Sequence, residues 1–176
     1  HYTRQDTLEA NVLAAIQLQV EAALDYDKLL DKLRGSEGEK NIRDQQNALI
    51  TSLNLRLNGV SKKRTRLYED YAEGLLDEAE YSFAKKSYDE QYADLSRRLD
   101  EAVQRRSKFD EAMSVDNKWI TLMKSVSTAT QLSQDLVDES VELVKVHEGG
   151  AVELVMKYGD IYELTIQSIK EVQEAM

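Results

Sequence analysis

Apolar residues recur at helical spacing over most of this chain and switch to alternation near its end. Leu8, Val12, Ala15, Ile16, Gln19, Val20 and Ala23 fall at intervals of one, three and four, which places them on one helical face. Asp6-Thr7-Leu8-Glu9 reads as a capping box, so a first helix is expected from Asp6 to about Arg34. Gly35-Ser36-Glu37-Gly38 should break it. A second helix is expected from about Glu39 to Glu73. Gln46, Leu53, Val60 and Leu67 recur every seven residues in it, and Ile50, Leu57, Arg64 and Tyr71 do the same with an offset of four. Together they form one a/d seam. At 1.5 Å per residue this helix is about 50 Å long. Gly59 is its weak interior point, at a cost of about 1 kcal/mol relative to alanine.

The chain then reverses at Gly74-Leu75-Leu76-Asp77. Gly74 can adopt the left-handed conformation that ends a helix, and Asp77-Glu78-Ala79-Glu80 is a second capping box. The third helix runs from about Glu78 to Met113, with a seam of Tyr81, Tyr88, Leu95, Ala102 and Phe109 interleaved with Tyr92, Leu99, Arg106 and Met113. Two long helices of similar length, matching heptads and a tight link predict an antiparallel coiled-coil hairpin. Either helix alone would leave its seam in water.

Past Met113 the pattern shortens. Asp116 is expected to cap a short helix bearing Trp119, Ile120, Met123 and Val126, and Ser133 another with Leu136, Val137 and Val141. Leu143 to Glu148 and Ala151 to Tyr158 alternate, are rich in β-branched residues and flank Gly149-Gly150, so they predict a β-hairpin. Only a loop with an odd number of residues aligns the two apolar faces. A three-residue loop, Glu148-Gly149-Gly150 with Gly150 left-handed, sets Val146 opposite Val152 and Val144 opposite Leu154. Asp160-Ile161-Tyr162-Glu163 is expected to cap a last helix with Ile166, Ile169 and Val172 inside. The fold class is mainly α: a long antiparallel coiled-coil hairpin projecting from a small α+β base with one β-hairpin. The divisions are 1–38 for the first base helix, 39–113 for the arm with its tip at 74–77, 114–158 for base helices and hairpin, and 159–176 for the last helix.

Composition sharpens this picture. Charged residues make up 32% of the chain, with no proline, no cysteine, two Phe and one Trp, a profile of long exposed helices. Absent cysteine removes disulfides and thiolate metal sites and points to a cytoplasmic setting. No apolar run approaches the roughly 20 residues of a membrane span, so no membrane partner is expected. His1-Tyr2-Thr3-Arg4-Gln5 is no signal peptide and reads as a fragment boundary. The net charge of −10 disfavours nucleic-acid binding by the chain as a whole.

Candidate chemistry is sparse. His1 is terminal and His147 lies on the polar face of a strand beside Lys145, so neither histidine joins a triad, and two histidines without cysteine make a weak metal site. The acidic runs are solvated helix faces, and Gly149-Gly150 is a turn rather than a phosphate loop. No catalytic, cofactor-binding or metal-binding residue is expected. Two surfaces remain. Lys62, Lys63, Arg64 and Arg66 should lie across from Lys85 and Lys86. This basic zone either pairs with Glu69, Asp70 and Asp89 or meets an acidic partner arm or DNA. At the tip, Leu75 and Leu76 either close the seam or form a contact surface, flanked by Tyr68, Tyr71 and Tyr81, which suit reversible contact.

Three ordered stretches resemble the large serine site-specific recombinases, the integrases and transposases of mobile elements. The first is Arg66-Leu67-Tyr68-Glu69-Asp70-Tyr71-Ala72-Glu73-Gly74-Leu75-Leu76-Asp77-Glu78-Ala79-Glu80-Tyr81. It is similar to the family's Leu-Tyr-Glu-Asp, glycine, apolar pair, polar cap and Glu-rich helix start. The second is Leu132-Ser133-Gln134-Asp135-Leu136-Val137-Asp138-Glu139, running into Val144-Lys145-Val146-His147-Glu148. The third is His1 with Leu8-Glu9, similar to the segment after the family's zinc-binding cysteines. Leu75-Leu76-Asp77 departs from the usual Ile-Ser turn, and Ser133 stands where Thr is common. The resemblance implies a catalytic serine domain and a zinc ribbon upstream of His1, with zinc held there and none in this chain. It implies that residues 39–113 are an arm whose association with arms of other subunits governs synapsis and direction of recombination. DNA would be met mostly through the parent protein. The alternative is a structural coiled-coil tether or scaffold unrelated to recombination.

Overall fold

The computed structural model describes residues 2–147 and 152–176. The order of elements is α1 (Tyr2–Leu33), α2 (Glu37–Ala72), α3 (Glu78–Met113), α4 (Lys118–Ser125), α5 (Gln134–Ser140), β1 (Val141–Val146), β2 (Val152–Met156) and α6 (Gly159–Glu174). The protein is therefore mainly helical, with one small two-stranded antiparallel sheet. It divides into two compact units, residues 1–40 with 108–176 and residues 41–107.

The first unit is built around the apolar stripe of α1. Val12, Ile16, Val20, Ala23, Leu30 and Leu33 are buried. Trp119, Ile120 and Met123 of α4 and Ile161, Ile169 and Val172 of α6 are buried with them. Tyr26, Trp119 and Tyr162 form an aromatic cluster, with the Trp119 and Tyr162 centroids 4.7 Å apart. Several polar side chains inside are matched, although the buried Trp119 Nε1–H has no acceptor among the described residues. Asn117 Nδ2 donates to the Ala112 carbonyl at 2.9 Å and to Thr165 Oγ1 at 2.7 Å. Thr165 donates in turn to the Ile161 carbonyl at 2.7 Å. Arg34 donates to the Met113 and Ser114 carbonyls at 2.9 and 2.7 Å, closing the C-terminal end of α3. Gly38 is buried, and a β-carbon there would collide with the Val172 carbonyl oxygen and lie 2.7 Å from Met176 Cγ, so α2 and α6 approach where only glycine leaves room.

In the second unit Leu53, Val60 and Leu95 are buried together, with Leu57, Tyr88, Tyr92, Leu99 and Ala102 packed against them. Pairs between α2 and α3 run in opposite order along the two helices. Asn47 meets Arg106 at 2.7 Å, Arg64 meets Asp89 at 2.9 Å, and Tyr71 stacks on Tyr81. All the seam positions read from the sequence are buried or half-buried except Tyr71, which is 38% exposed.

Several sequence expectations need correction. α1 begins at Tyr2, not Asp6, because no glycine or proline precedes Asp6 to stop the helix from extending. α2 begins at Glu37, so Gly38 lies inside the helix rather than in the break. Its start is an unforeseen side-chain cap: Ser36 Oγ accepts from the Glu39 N–H at 3.2 Å, and the Glu39 carboxylate reaches past Ser36 to accept from the Gly35 N–H. Asn117, not Asp116, caps α4, its Oδ1 accepting from the Ile120 N–H at 3.1 Å. Val141 ends α5 and opens β1 instead of lying on the helix. β1 starts two residues before the expected Leu143 and ends at Val146, β2 ends at Met156 rather than Tyr158, and Tyr158 is left-handed at φ 57°. Asp160 caps nothing: α6 starts at Gly159, one residue earlier, and Asp160 sits in its first turn. Ile166 is half-buried, and Thr165 and Ser168 take buried positions beside Ile169.

Ser133 caps α5 as expected, its hydroxyl accepting from the Leu136 N–H at 3.1 Å. The hairpin register is the expected one, with Val146 opposite Val152 and Val144 opposite Leu154. The three-residue loop and a left-handed Gly150 lie outside the described residues. The register slips between Val141 and Leu143, leaving Glu142 as an extra residue. This bulge turns Val141 onto the core, where it is 7% exposed.

Candidate functional site

The tip between α2 and α3 is held by backbone and side-chain bonds together. Gly74 is left-handed at φ +76°. Its N–H donates to the Tyr71 carbonyl at 3.0 Å, and the Leu75 N–H donates to the Asp70 carbonyl at 2.9 Å. These two bonds close the end of α2 as a Schellman motif. Asp77 Oδ1 then accepts from the Glu80 N–H at 2.8 Å, and Glu80 Oε2 from the Asp77 N–H at 3.0 Å. The reciprocal box starts α3 at once, so the turn has defined geometry at both ends.

The predicted tip residues separate into two groups. Tyr71 and Tyr81 come together, stacked with centroids 4.4 Å apart at 18°. Leu76 is half-buried. Leu75 is 68% exposed and Tyr68 62% exposed. Phe83 was missed by sequence reasoning and is 81% exposed. The signal was present: a phenylalanine two residues past Tyr81 lies off the α3 seam and cannot share its burial.

The basic residues also separate. Asp89 gathers two of them: Arg64 Nη2 lies 2.9 Å away, and Lys85 Nζ 2.7 Å away. Arg64 also sits over the Tyr92 ring at 4.8 Å. Hydrogen bonding to Lys85 holds the Asp89 carboxyl below its ordinary range, with the charges of Lys85 and Arg64 adding to it. The same bond raises Lys85. Arg66 is 4.0 Å from Asp70, a loose surface pair. Lys62, Lys63 and Lys86 are exposed and have no ion pair among the described residues, and neither has Glu69.

His147 Nε2 lies 3.1 Å from Glu153, whose other oxygen accepts from Lys145 at 2.9 Å. The Lys145 bond, then the His147 bond, lowers the Glu153 carboxyl below its usual range. This is an exposed surface triad. Among the described residues no group of three or more His, Cys, Asp or Glu is placed to hold a metal ion. No helix among them is long and apolar enough to cross a membrane. Comparison with known proteins found no matching family model, no matching curated protein and no matching solved structure.

Proposed function

We propose that this chain is a non-catalytic interaction module of a serine site-specific DNA recombinase. In this reading α2 and α3 form an antiparallel coiled-coil arm, and arm–arm contact between subunits controls synapsis and the direction of recombination. The opposed order of the α2–α3 pairs and the burial of both seams support the hairpin. The observation that carries the functional reading is the tip: a turn fixed by two capping motifs that presents Leu75 to solvent, with Tyr68 and Phe83 exposed nearby in sequence. A turn whose only task is reversal is better served by polar residues at that position. The ordered motifs at 66–81 and 132–148 supply the recombinase family.

The test is recombination by the full-length parent with Leu75→Asp and Leu76→Asp. Integration or excision should fall at least tenfold, while binding of the protein to a single attachment site is kept, on the order expected for loss of an apolar anchor. Unchanged integration and excision would sink the proposal. The reading frame upstream of His1 should encode a zinc-ribbon cysteine pattern and a serine recombinase domain.

A further inference from the structure

The net charge of −10 is not spread over the chain. Residues 41–107 carry 12 basic and 12 acidic side chains, and the other unit carries 11 basic and 21 acidic. The whole excess of negative charge therefore belongs to the first unit. Within the second, residues 45–68 hold five basic side chains and no acidic one. Arg64 is bonded to Asp89 and Arg66 lies loosely against Asp70. Arg56, Lys62 and Lys63 are exposed and have no ion pair among the described residues.

These three cations share the outer face of α2 with apolar side chains. Leu49, Arg56 and Lys63 recur every seven residues, and Leu55 and Lys62 lie beside them at the same interval. Leu49 and Leu55 are both exposed. Gly59 belongs to the same face, and nothing lies within 4 Å of the place its β-carbon would take, so another backbone can come close there. A nucleic-acid backbone would leave both leucines without apolar contact, whereas a helix covers them.

The first unit carries the complement on α1. Leu18, Glu21, Leu24 and Asp25 are exposed at spacings of three and four, on one face of the helix. Glu21 has no ion pair among the described residues, and Asp25 meets Lys28 at 3.2 Å in a surface pair of little strength. Glu21 and Leu24 also border a cleft of about 400 Å³ whose walls include Leu13, Val126 and Ala129. One face thus sets cations beside two exposed leucines, and the other sets carboxylates beside two more.

We propose that the outer face of α2 docks on the α1 face of a second copy of this chain. Arg56, Lys62 and Lys63 meet Glu21 and Asp25 of the other copy, with the leucines of the two faces in contact. Each copy carries both faces, so a closed pair makes the contact twice. The inference rests neither on the tip nor on the recombinase reading.

Sedimentation equilibrium of the whole chain tests it, in a Leu75→Asp background that removes association through the tip. The chain should dimerise in about 0.05 M salt, and its dissociation constant should weaken at least about tenfold in about 0.5 M salt, where exposed charges are screened. Lys62→Glu/Lys63→Glu should weaken the dimer by at least about tenfold, and Glu21→Lys/Asp25→Lys should do the same. An equal mixture of the two variants should recover the parent affinity to within about threefold, because each reversed face then meets its complement. Recovery on mixing also excludes misfolding as the cause of either loss. A chain that is monomeric at about 0.1 mM in low salt overturns the proposal. Losses that mixing does not restore overturn it as well. So does binding of a fluorescent random-sequence DNA duplex by a monomeric chain, if Lys62→Glu/Lys63→Glu abolishes it; the face would then be a nucleic-acid surface.

Discussion

Both ends of the Asn117 amide are engaged: the oxygen caps α4, and the nitrogen donates to the Ala112 carbonyl and to Thr165 Oγ1. A carboxylate could cap the helix but could not donate. That is why Asn117 takes the capping role expected of Asp116, and why this was not legible: it rests on Thr165, 48 positions away. Asn117→Ala should destabilise the chain by about 3 kcal/mol, from a lost cap and buried polar groups left unmatched. Asp116→Ala should change stability by less than about 0.5 kcal/mol, since its side chain is exposed. Urea unfolding of the two variants distinguishes the caps, and equal losses would contradict the assignment. Phe83 differs in kind, because its spacing from Tyr81 already placed it off the seam.

At the scale of elements, α2 and α3 were readable because every local signal agrees. The heptads, the glycine at 74 and the box at Asp77–Glu80 all require the same two helices. The start of α1 was misread because a capping pattern ends nothing unless the preceding residues break the helix. The bulge at Glu142 was invisible, since it is set by pairing between strands rather than by either strand. The Arg64–Asp89–Lys85 cluster joins α2 to α3 and should make their pairing depend on pH. Asp89 titrates below its ordinary value of 3.8 in the folded chain. Its contribution is present above that value and is lost as pH falls through the lower folded value. Lys85 titrates above 10.5, so its contribution is present below 10.5 and is lost as pH rises through the higher folded value. Asp89→Asn should lower the urea midpoint near neutral pH, and the gap from the parent should close as pH falls below 3.8. A gap that persists in acid would mean that Asp89 acts through packing rather than charge.

Across the whole molecule, burial is uneven. Among the described residues, 21 apolar side chains are buried, and only Leu53, Val60 and Leu95 belong to the unit at 41–107; 21 less three leaves 18 in the other. Heptads made the sparse unit easy to read. A cavity of about 570 Å³ in the first unit was not readable, because its lining joins Gln19, Trp119 and Glu142 to several residues between Leu154 and Glu163, which no local pattern connects. Buried apolar area dominates folding free energy, so the unit at 41–107 should unfold first. The chain supplies separate probes for the two units. Its one tryptophan lies in the core of the first, while helical circular dichroism is carried largely by α1, α2 and α3 together. In a urea titration, helical signal should begin to fall while Trp119 fluorescence still reports a buried indole, so the two curves should separate at low denaturant. Superimposable curves would require one cooperative unit, with the few buried residues of 41–107 stabilised to the same extent as the 18 of the first unit.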